Sequence, residues 1–479
     1  MSIPLRSRLL QSLPTLLLCL GLGEASAATF TVTLTEDGRD GVCDSHCTLR
    51  DAIDAANATP GSHQIVLPAG EYLLQLPSAD EEDEDDNQRD DLDVTGQIRI
   101  TGAGHERTII RAAQTGHRLF EVHPGASLRL EQLALRDGWT PFNGGAVENH
   151  GHLELHKVWL ARNVARTPRD LWMSEETGWT RGQGGAVANY GEMRVSWSYF
   201  QRNSALGGDY NHPGRGGAIF NRGALVVRDT RLQENFASSE DDRGAGGGVY
   251  NRGTADIERS HLVTNDGGSY VWGVAITNVL GGQLRLVNST IALTNGYSYP
   301  ALQNGDPNLQ DNQSDTQAYL AHVTIAFNLG GIGNRGRMKV HNSIVLGNAD
   351  LFNANRDCTS QGPGALMVTS GLLLNPTNGN CPADHFNYEH DPDELYGTVF
   401  LRLTGRTMID ALALPPGSPA IDAGVGNCSS HDAQRAPRPQ DGDGDGVVHC
   451  DLGAYERGTR PAQPEVPGFP EPSIPAQAQ

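Results

Sequence analysis

Five stretches of the chain set aromatic side chains beside charged ones: Trp139 and Phe142, Trp172 and Trp179, Tyr210 and His212, Tyr270 and Trp272, Tyr297 and Tyr299. Flat aromatic faces next to polar groups suit sugar rings, which stack through one face and hydrogen-bond through their hydroxyls. The same stretches carry Arg166, Asp170, Glu175, Glu176, Asp209, Arg215, Asp241, Asp242 and Arg243. Hydrolysis of a glycosidic bond requires two carboxylates separated by about 5–9.5 Å, a role open to Asp209 with Asp241 or Asp242. Elimination from a uronic acid requires a base at the proton beside the carboxylate and a cation to steady the developing charge. Arg222 and Arg252 are the candidate bases. The alternative is that the rings only pin long loops to the body of the protein, although exported loops of this length usually carry function.

These stretches interrupt a repeated phrase. Gly-Gly-Ala-Val-Glu-Asn at 144–149 recurs as Gly-Gly-Ala-Val-Ala-Asn at 184–189, Gly-Gly-Ala-Ile-Phe-Asn at 216–221 and Gly-Gly-Gly-Val-Tyr-Asn at 246–251. Its closing residues Asn149, Asn189, Asn221 and Asn251 continue as Asn278, Asn304 and Asn334, at intervals of 26 to 40 residues. Fourteen places behind most of them stands a second asparagine: Asn163, Asn203, Asn235, Asn265 and Asn348. Such a period belongs to a structure built one coil at a time.

Between the two asparagines the apolar residues keep fixed offsets. Leu153, Leu155, Val158 and Leu160 in one coil match Met193, Val195, Ser198 and Phe200 in the next, then Leu225, Val227, Thr230 and Leu232. Alternation with polar residues predicts two short strands per coil, each with one face inward. One coil cannot bury that face alone, whereas stacking pairs each strand with an in-register copy about 4.8 Å away. An all-β parallel β-helix is expected, with asparagine at its corners because it tolerates left-handed backbone and its amide can bond to neighbouring coils. The aromatic loops leave successive coils at one corner, so they should line one flank over roughly 20–30 Å. One place after each ladder asparagine runs an exterior column of His150, Tyr190, Arg222, Arg252 and Arg335, readable as a carboxylate-binding line or as corner chemistry.

At the N-terminus, Arg6 and Arg8 precede an apolar run from Leu13 to Leu22 and a small-residue Ala25-Ser26-Ala27 site, the pattern of a signal peptide over 1–27. No later segment has the apolar length of a membrane span. The remaining cysteines, Cys43, Cys47, Cys358, Cys381, Cys428 and Cys450, lie in three neighbouring pairs outside the repeats. In an oxidising compartment they read as disulfides, and closing three local loops is the simplest connectivity; their spacing does not resemble a zinc site. A net charge of -21 with two lysines, Lys157 and Lys339, argues against nucleic acid as a partner. Asp80 to Asp93 holds ten acids against one arginine, which reads as a solvated insertion.

Cys47-Thr-Leu-Arg-Asp-Ala-Ile53, followed by Ala56-Asn57, resembles the Cys-Ser-Leu-Arg-Glu-Ala motif that opens many exported bacterial β-helix proteins. Asp91-Leu-Asp-Val-Thr-Gly96, Gly102-Ala-Gly104 and Phe120-Glu-Val-His-Pro-Gly125 are similar to the first coils of those proteins. Gly417-Ser-Pro-Ala-Ile-Asp-Ala-Gly424 and Cys450-Asp-Leu-Gly-Ala-Tyr-Glu456 resemble the closing module called the choice-of-anchor Q domain. The resemblance implies a right-handed parallel β-helix of the pectate-lyase type, exported, and carries no catalytic set. Short phrases expected of β-helix pectinases, such as Gly-His-Gly or Arg-Ile-Lys, are absent.

The domain plan is then a signal peptide (1–27), an N-terminal cap (28–62), a β-helix with the acidic insertion at 80–93 (63–350), a disulfide-containing closing module (351–456) and a proline-rich tail (457–479). One helix is expected at 49–57, its acids and Arg50 outward and Leu49, Ile53 and Ala56 packed on the first coil. The region beyond 350 is expected to plug the other end. Asp441-Gly-Asp443-Gly-Asp445-Gly446 alternates carboxylates before a glycine as a calcium loop does, but its twelfth place is Leu452; either Asp451 substitutes for the usual closing glutamate or the stretch is a tight acidic turn pinned by Cys428 and Cys450. Two functions fit: a secreted or cell-surface rod that binds extracellular polysaccharide, or a polysaccharide lyase or glycoside hydrolase working in the same groove.

Overall fold

The structure, a computed structural model, describes residues 27–76, 87–113, 118–167, 181–208, 212–268, 270–296, 299–309, 311, 313–349, 356–374, 381–382, 386–387 and 412–458. The chain forms the expected right-handed parallel β-helix. Coil follows coil with every named strand pairing parallel and in register: His152–His156 lies between Ser127–Glu131 and Glu192–Ser196, and Val187–Asn189 between Val147–Asn149 and Ile219–Asn221.

Each coil has more than the two strands expected. His152–His156 is followed by Trp159–Ala161, Val164–Arg166 and, after a loop, Val187–Asn189. We call these the long, short, third and asparagine faces. The corners separating the first three are left-handed. Lys157, Trp197, Asp229, Arg259, Asn288, His322 and Asn342 all have positive φ between the long and short faces, and Arg162, Arg202, Glu234 and Thr264 between the short and third. Two residues beyond each corner the chain is extended again; the long and short faces are the two expected strands, and the third and asparagine faces are additional.

The left-handed corners correct the role given to asparagine. No ladder asparagine has positive φ; the residue before Asn163, Asn203, Asn235 and Asn265 takes that conformation instead. The asparagines are fully buried and act through their amides. Asn149 Nδ2 donates to Asn189 Oδ1 at 2.6 Å, and Asn189, Asn221 and Asn251 each donate to the next asparagine at 2.7 Å. Asn278 and Asn304 continue the line to Asn334, which donates to Ser360. The second ladder runs Asn163, Asn203, Asn235, Asn265, then Thr294, Asn328 and Asn348, ending on Asp357. A third column escaped the sequence reading: Val158, Ser198, Thr230 and Ser260 each donate a backbone N–H to the hydroxyl of the coil above. The first glycine of each repeated phrase has positive φ, as at Gly184, and a Cβ on Gly185 would overlap the Gly217 carbonyl.

Stacked columns fill the interior. Leu128, Leu153, Met193, Leu225, Ala255 and Leu284 form one and Leu130, Leu155, Val195, Val227, Ile257 and Leu286 another, all buried. Each large apolar side chain so buried contributes roughly 1.5–3 kcal/mol, and in-register stacking lets every coil cover its neighbour.

The helix Leu49–Ala58 caps the first coil, with Thr48 and Asp51 forming a capping box. Arg50 does not face out as expected. It is buried, donating to Asp37 at 2.6 Å and to the Asp91 carbonyl at 2.8 Å, while Asp51 accepts from Asp40 and Gly41 at 2.9 Å. A charge goes inside when each of its donors or acceptors finds a partner. For the same reason the acidic stretch is only partly an insertion: Asp90, Asp91 and Asp93 are buried and Leu92–Val94 is the first asparagine-face strand.

Three disulfides close local loops: Cys43–Cys47, Cys358–Cys381 and Cys428–Cys450. Beyond 350 the main described segments are 356–374 and 412–458. Residues 356–374 add further coil, but 412–458 lies along the side of the rod and does not plug its end. Leu412, Leu414, Ala420 and Leu452 pack on Val263, Ala292, Ala326, Leu346 and Leu373, the outer side of the short face. Those strand residues are apolar outside as well as inside, and the module buries them.

Candidate functional site

In Val147–Asn149 the first and third side chains point into the rod, so Glu148 points out. Register places Asp93, Glu121 and Glu148 side by side on that outer face. Three carboxylates on adjacent strands repel one another unless a cation lies among them. Arg118 supplies it, meeting Glu121 at 2.5 Å, Glu148 at 3.0 Å and Asp91 at 3.3 Å. Two residues beyond each of Glu121 and Glu148 stands an imidazole. His123 Nε2 lies 2.9 Å from Asp93, and His150 Nε2 lies 3.3 Å from Glu148.

Burial and charge tune these groups differently. Burial raises the Asp93 pKa, and the His123 hydrogen bond restrains the rise. His150 is exposed, and its pKa is raised chiefly by the hydrogen bond to Glu148, against a smaller opposing effect of burial. The protonated imidazole is therefore favoured beside a carboxylate and a guanidinium. This site can grip an anion, or pass a proton at Nε2.

On the next coil Tyr190 stacks on His150, with centroids 4.8 Å apart and planes 6° from parallel. Phe220 and Tyr250 extend the row, stacked at 5.5 Å, but both are buried with Ala245 and Val279 packed against them. Tyr190 is half-buried, Arg222 is exposed and Arg252 is half-buried on the same column.

The loops stack as the sequence predicted over three coils: Gly214–Arg215, Arg243–Ala245 and Tyr270–Trp272 pair in register. Arg215 lies over the Tyr250 ring at 5.6 Å. Trp272 and His212 are half-buried, and Tyr270 enters by its backbone. Trp139 is half-buried on a strand that pairs with Val164–Arg166, and Arg181 covers the Phe142 ring at 4.6 Å. Trp172, Trp179, Tyr210 and Asp209 lie outside the described residues. Asp241 and Asp242 are exposed at a turn in which the Asp242 N–H donates to the Ser239 carbonyl.

Glu121, Arg118 and His123 were missed by sequence reading. A signal existed: the fifth place of the repeated phrase, which always faces outward, reads Glu148, Ala188, Phe220, Tyr250. A charged residue there stands out once the phrase is understood as a strand.

In the closing module Asp441 and Asp443 come together with Asp422, their carboxylate oxygens within 4.8 Å of one another. Asp422 was not foreseen, because it arrives from a different segment. Asp445 Oδ1 accepts the Val447 N–H at 2.7 Å. Asp451 is buried, accepts the N–H groups of Asp422 and Arg457, and has its pKa raised by burial to about 6.

No family model and no curated protein matches the chain. Three solved structures are similar in fold. Pectate lyase Pel9A aligns with a TM-score of 0.46 at 11% identity, over 91% of this chain and 98% of its own. The A-module of the Azotobacter vinelandii mannuronan C-5 epimerase AlgE6 gives 0.30 at 13% identity, over 71% and 97%. The PL6-family alginate lyase AlyGC gives 0.30 at 12% identity, over 75% and 53%.

Proposed function

We propose that this protein is exported and binds an extracellular polysaccharide along the asparagine face and the loops that border it. The observation that carries the reading is the pairing of an exposed imidazole with a stacked tyrosine, His150 on Tyr190, beside the Arg118 cluster. A flat surface next to fixed donors and acceptors is what a sugar ring requires. The three disulfides fit an oxidising compartment, and among the described residues no helix is long and apolar enough to cross a membrane. The test is titration of the purified protein with a panel of acidic and neutral polysaccharides. Tyr190→Ala and His150→Ala should each weaken binding about tenfold, or 1.4 kcal/mol. Unchanged affinity in both variants rejects the reading.

A second reading, cleavage of the bound chain, is favoured by the His150–Glu148 pair, which places a proton carrier next to a fixed charge. Unsaturated or reducing ends released from any polymer of the panel, and lost in His150→Ala, would support it. Their absence throughout leaves binding alone.

We also propose that Asp441 and Asp443, with Asp422, hold calcium in a structural role. Three carboxylates from two segments suit a hard cation that takes oxygen ligands. Calcium should raise the melting temperature of the native protein and not that of Asp441→Asn; equal melting with calcium or chelator rejects the site.

A further inference from the structure

The outer side of the long face carries a lattice of paired charges for most of its length. Arg99, Glu131, Arg129 and Glu154 form one chain of ion pairs, and Arg228, Asp256, Arg285 and Glu258 another. Beyond Arg285 the long-face strands Gln317–Ala321, Arg337–Leu346 and Leu366–Leu374 hold no acid. Arg337 and Lys339 stand exposed two residues apart on one strand, and among the described residues neither side chain has a hydrogen bond or an ion pair. In a chain of net charge -21 with two lysines, two adjacent uncompensated cations call for a reason.

Around them the face turns apolar. Register sets Gln317 beside Arg337 and Tyr319 beside Lys339, with Leu366 and Val368 on the following coil. Tyr319 is 39% exposed, Leu366 54% and Val368 50%, an unusual grouping for so polar a surface. These residues line a groove of about 720 Å³ that crosses six coils from Ala224 to Leu366. At about 4.8 Å per coil it runs roughly 24 Å along the rod.

We infer that this groove is a second binding site, separate from the asparagine face, for an anionic polysaccharide chain. Its length and straightness fit a linear polymer. Arg337 and Lys339, side by side, fit a carboxylate or sulfate, the guanidinium by paired hydrogen bonds and the ammonium as a point charge. Tyr319, Leu366 and Val368 offer apolar surface to the ring faces, and Gln283 and Gln317 offer amides to the hydroxyls. Charge decides against a neutral glycan, since a neutral chain would leave both cations desolvated without a counter-charge.

The full-length protein is titrated calorimetrically with polygalacturonate, heparin and dextran, as carboxylated, sulfated and neutral probes. At least one anionic probe should bind and dextran should not. Arg337→Ala/Lys339→Ala should weaken the anionic probe at least tenfold and reduce its salt sensitivity, as expected when screened charges are removed. Tyr319→Ala should weaken it several-fold, and both losses should persist in a His150→Ala background, which removes the contribution of the asparagine face. All four side chains are exposed, so the melting temperatures should stay near native. Binding of polygalacturonate alone or heparin alone identifies the anionic group recognised. Failure of both anionic probes to bind, native affinity in the double variant, or equal binding of dextran overturns the proposal. If binding is lost in His150→Ala and kept in the double variant, the asparagine-face reading stands and this one falls; the reverse pattern separates them the other way.

Discussion

Arg435 donates to Asp229 at 2.8 Å across 206 residues of sequence. Asp229 is a corner residue of the rod with positive φ, and Arg435 also covers the corner ring of Trp197 at 4.6 Å. The closing module thus attaches along the corners between the long and short faces. Ser429 bonds Asn288, Arg438 bonds His322 at 2.6 Å, Val425 bonds Asn342, and the Ala454 N–H donates to Thr324. Left-handed corners turn polar side chains outward at regular spacing, and the module meets them one by one.

The first prediction concerns Arg438, which is fully buried with Glu456 at 3.4 Å. Arg438→Ala leaves that carboxyl inside without its cation, a loss of about 3–5 kcal/mol. Arg435→Ala, at a half-exposed pair, should cost at most about 1 kcal/mol. Denaturant unfolding with limited proteolysis of the module measures both, and equal effects would contradict this account of the interface.

Removing Cys428–Cys450 tests whether the module depends on its own loop. The disulfide closes a separation of 22 residues. Cys428→Ser/Cys450→Ser should lower module stability by about 3 kcal/mol, with proteolysis confined to 412–458 and the coils intact. Cleavage spread equally through the coils would show that module and rod unfold as one unit.

The ladder should tolerate loss least at mid-rod. Asn221 accepts from Asn189 and donates to Asn251 and to the Thr254 carbonyl, all from a fully buried position. Asn221→Ala strands a neighbouring amide and should destabilise by about 1–3 kcal/mol or more. Asn334→Ala, near the end where a serine already substitutes, should cost less. Thermal unfolding of the two variants ranks them.

The His150–Glu148 pair gives a pH dependence with a defined sign. The His150 pKa is raised above its ordinary 6.5, first by the Glu148 hydrogen bond. Stability from the pair is therefore fully present below about 6.5 and lost as pH rises through the raised value. Binding of an anionic glycan at the asparagine face should weaken over the same window, because the cationic imidazole is what attracts it. His150→Gln should flatten the profile above about pH 6.5; a profile unchanged by that substitution assigns the titration to another group.

The sequence alone determined the coil. Repeated Gly-Gly-x-x-x-Asn phrases and matched apolar offsets admit one economical solution, since each unit can bury its inward face only against a copy of itself. Six cysteines allow fifteen connectivities; local closure was the simplest of them, and the structure has it. Which outward residues meet was decided by tertiary structure. Glu121 and Glu148 become neighbours only when register is fixed, Asp422 joins Asp441 and Asp443 only through the module's fold, and Arg50 turns inward because carbonyls from the 89–91 segment await it. Arg337 and Lys339 look ordinary in sequence; their meaning depends on the adjacent long-face strands, Gln317–Ala321 and Leu366–Leu374, carrying no acid. Local pattern fixes what each coil must bury, whereas contacts between coils depend on loop lengths that vary from one turn to the next, and those leave no periodic trace.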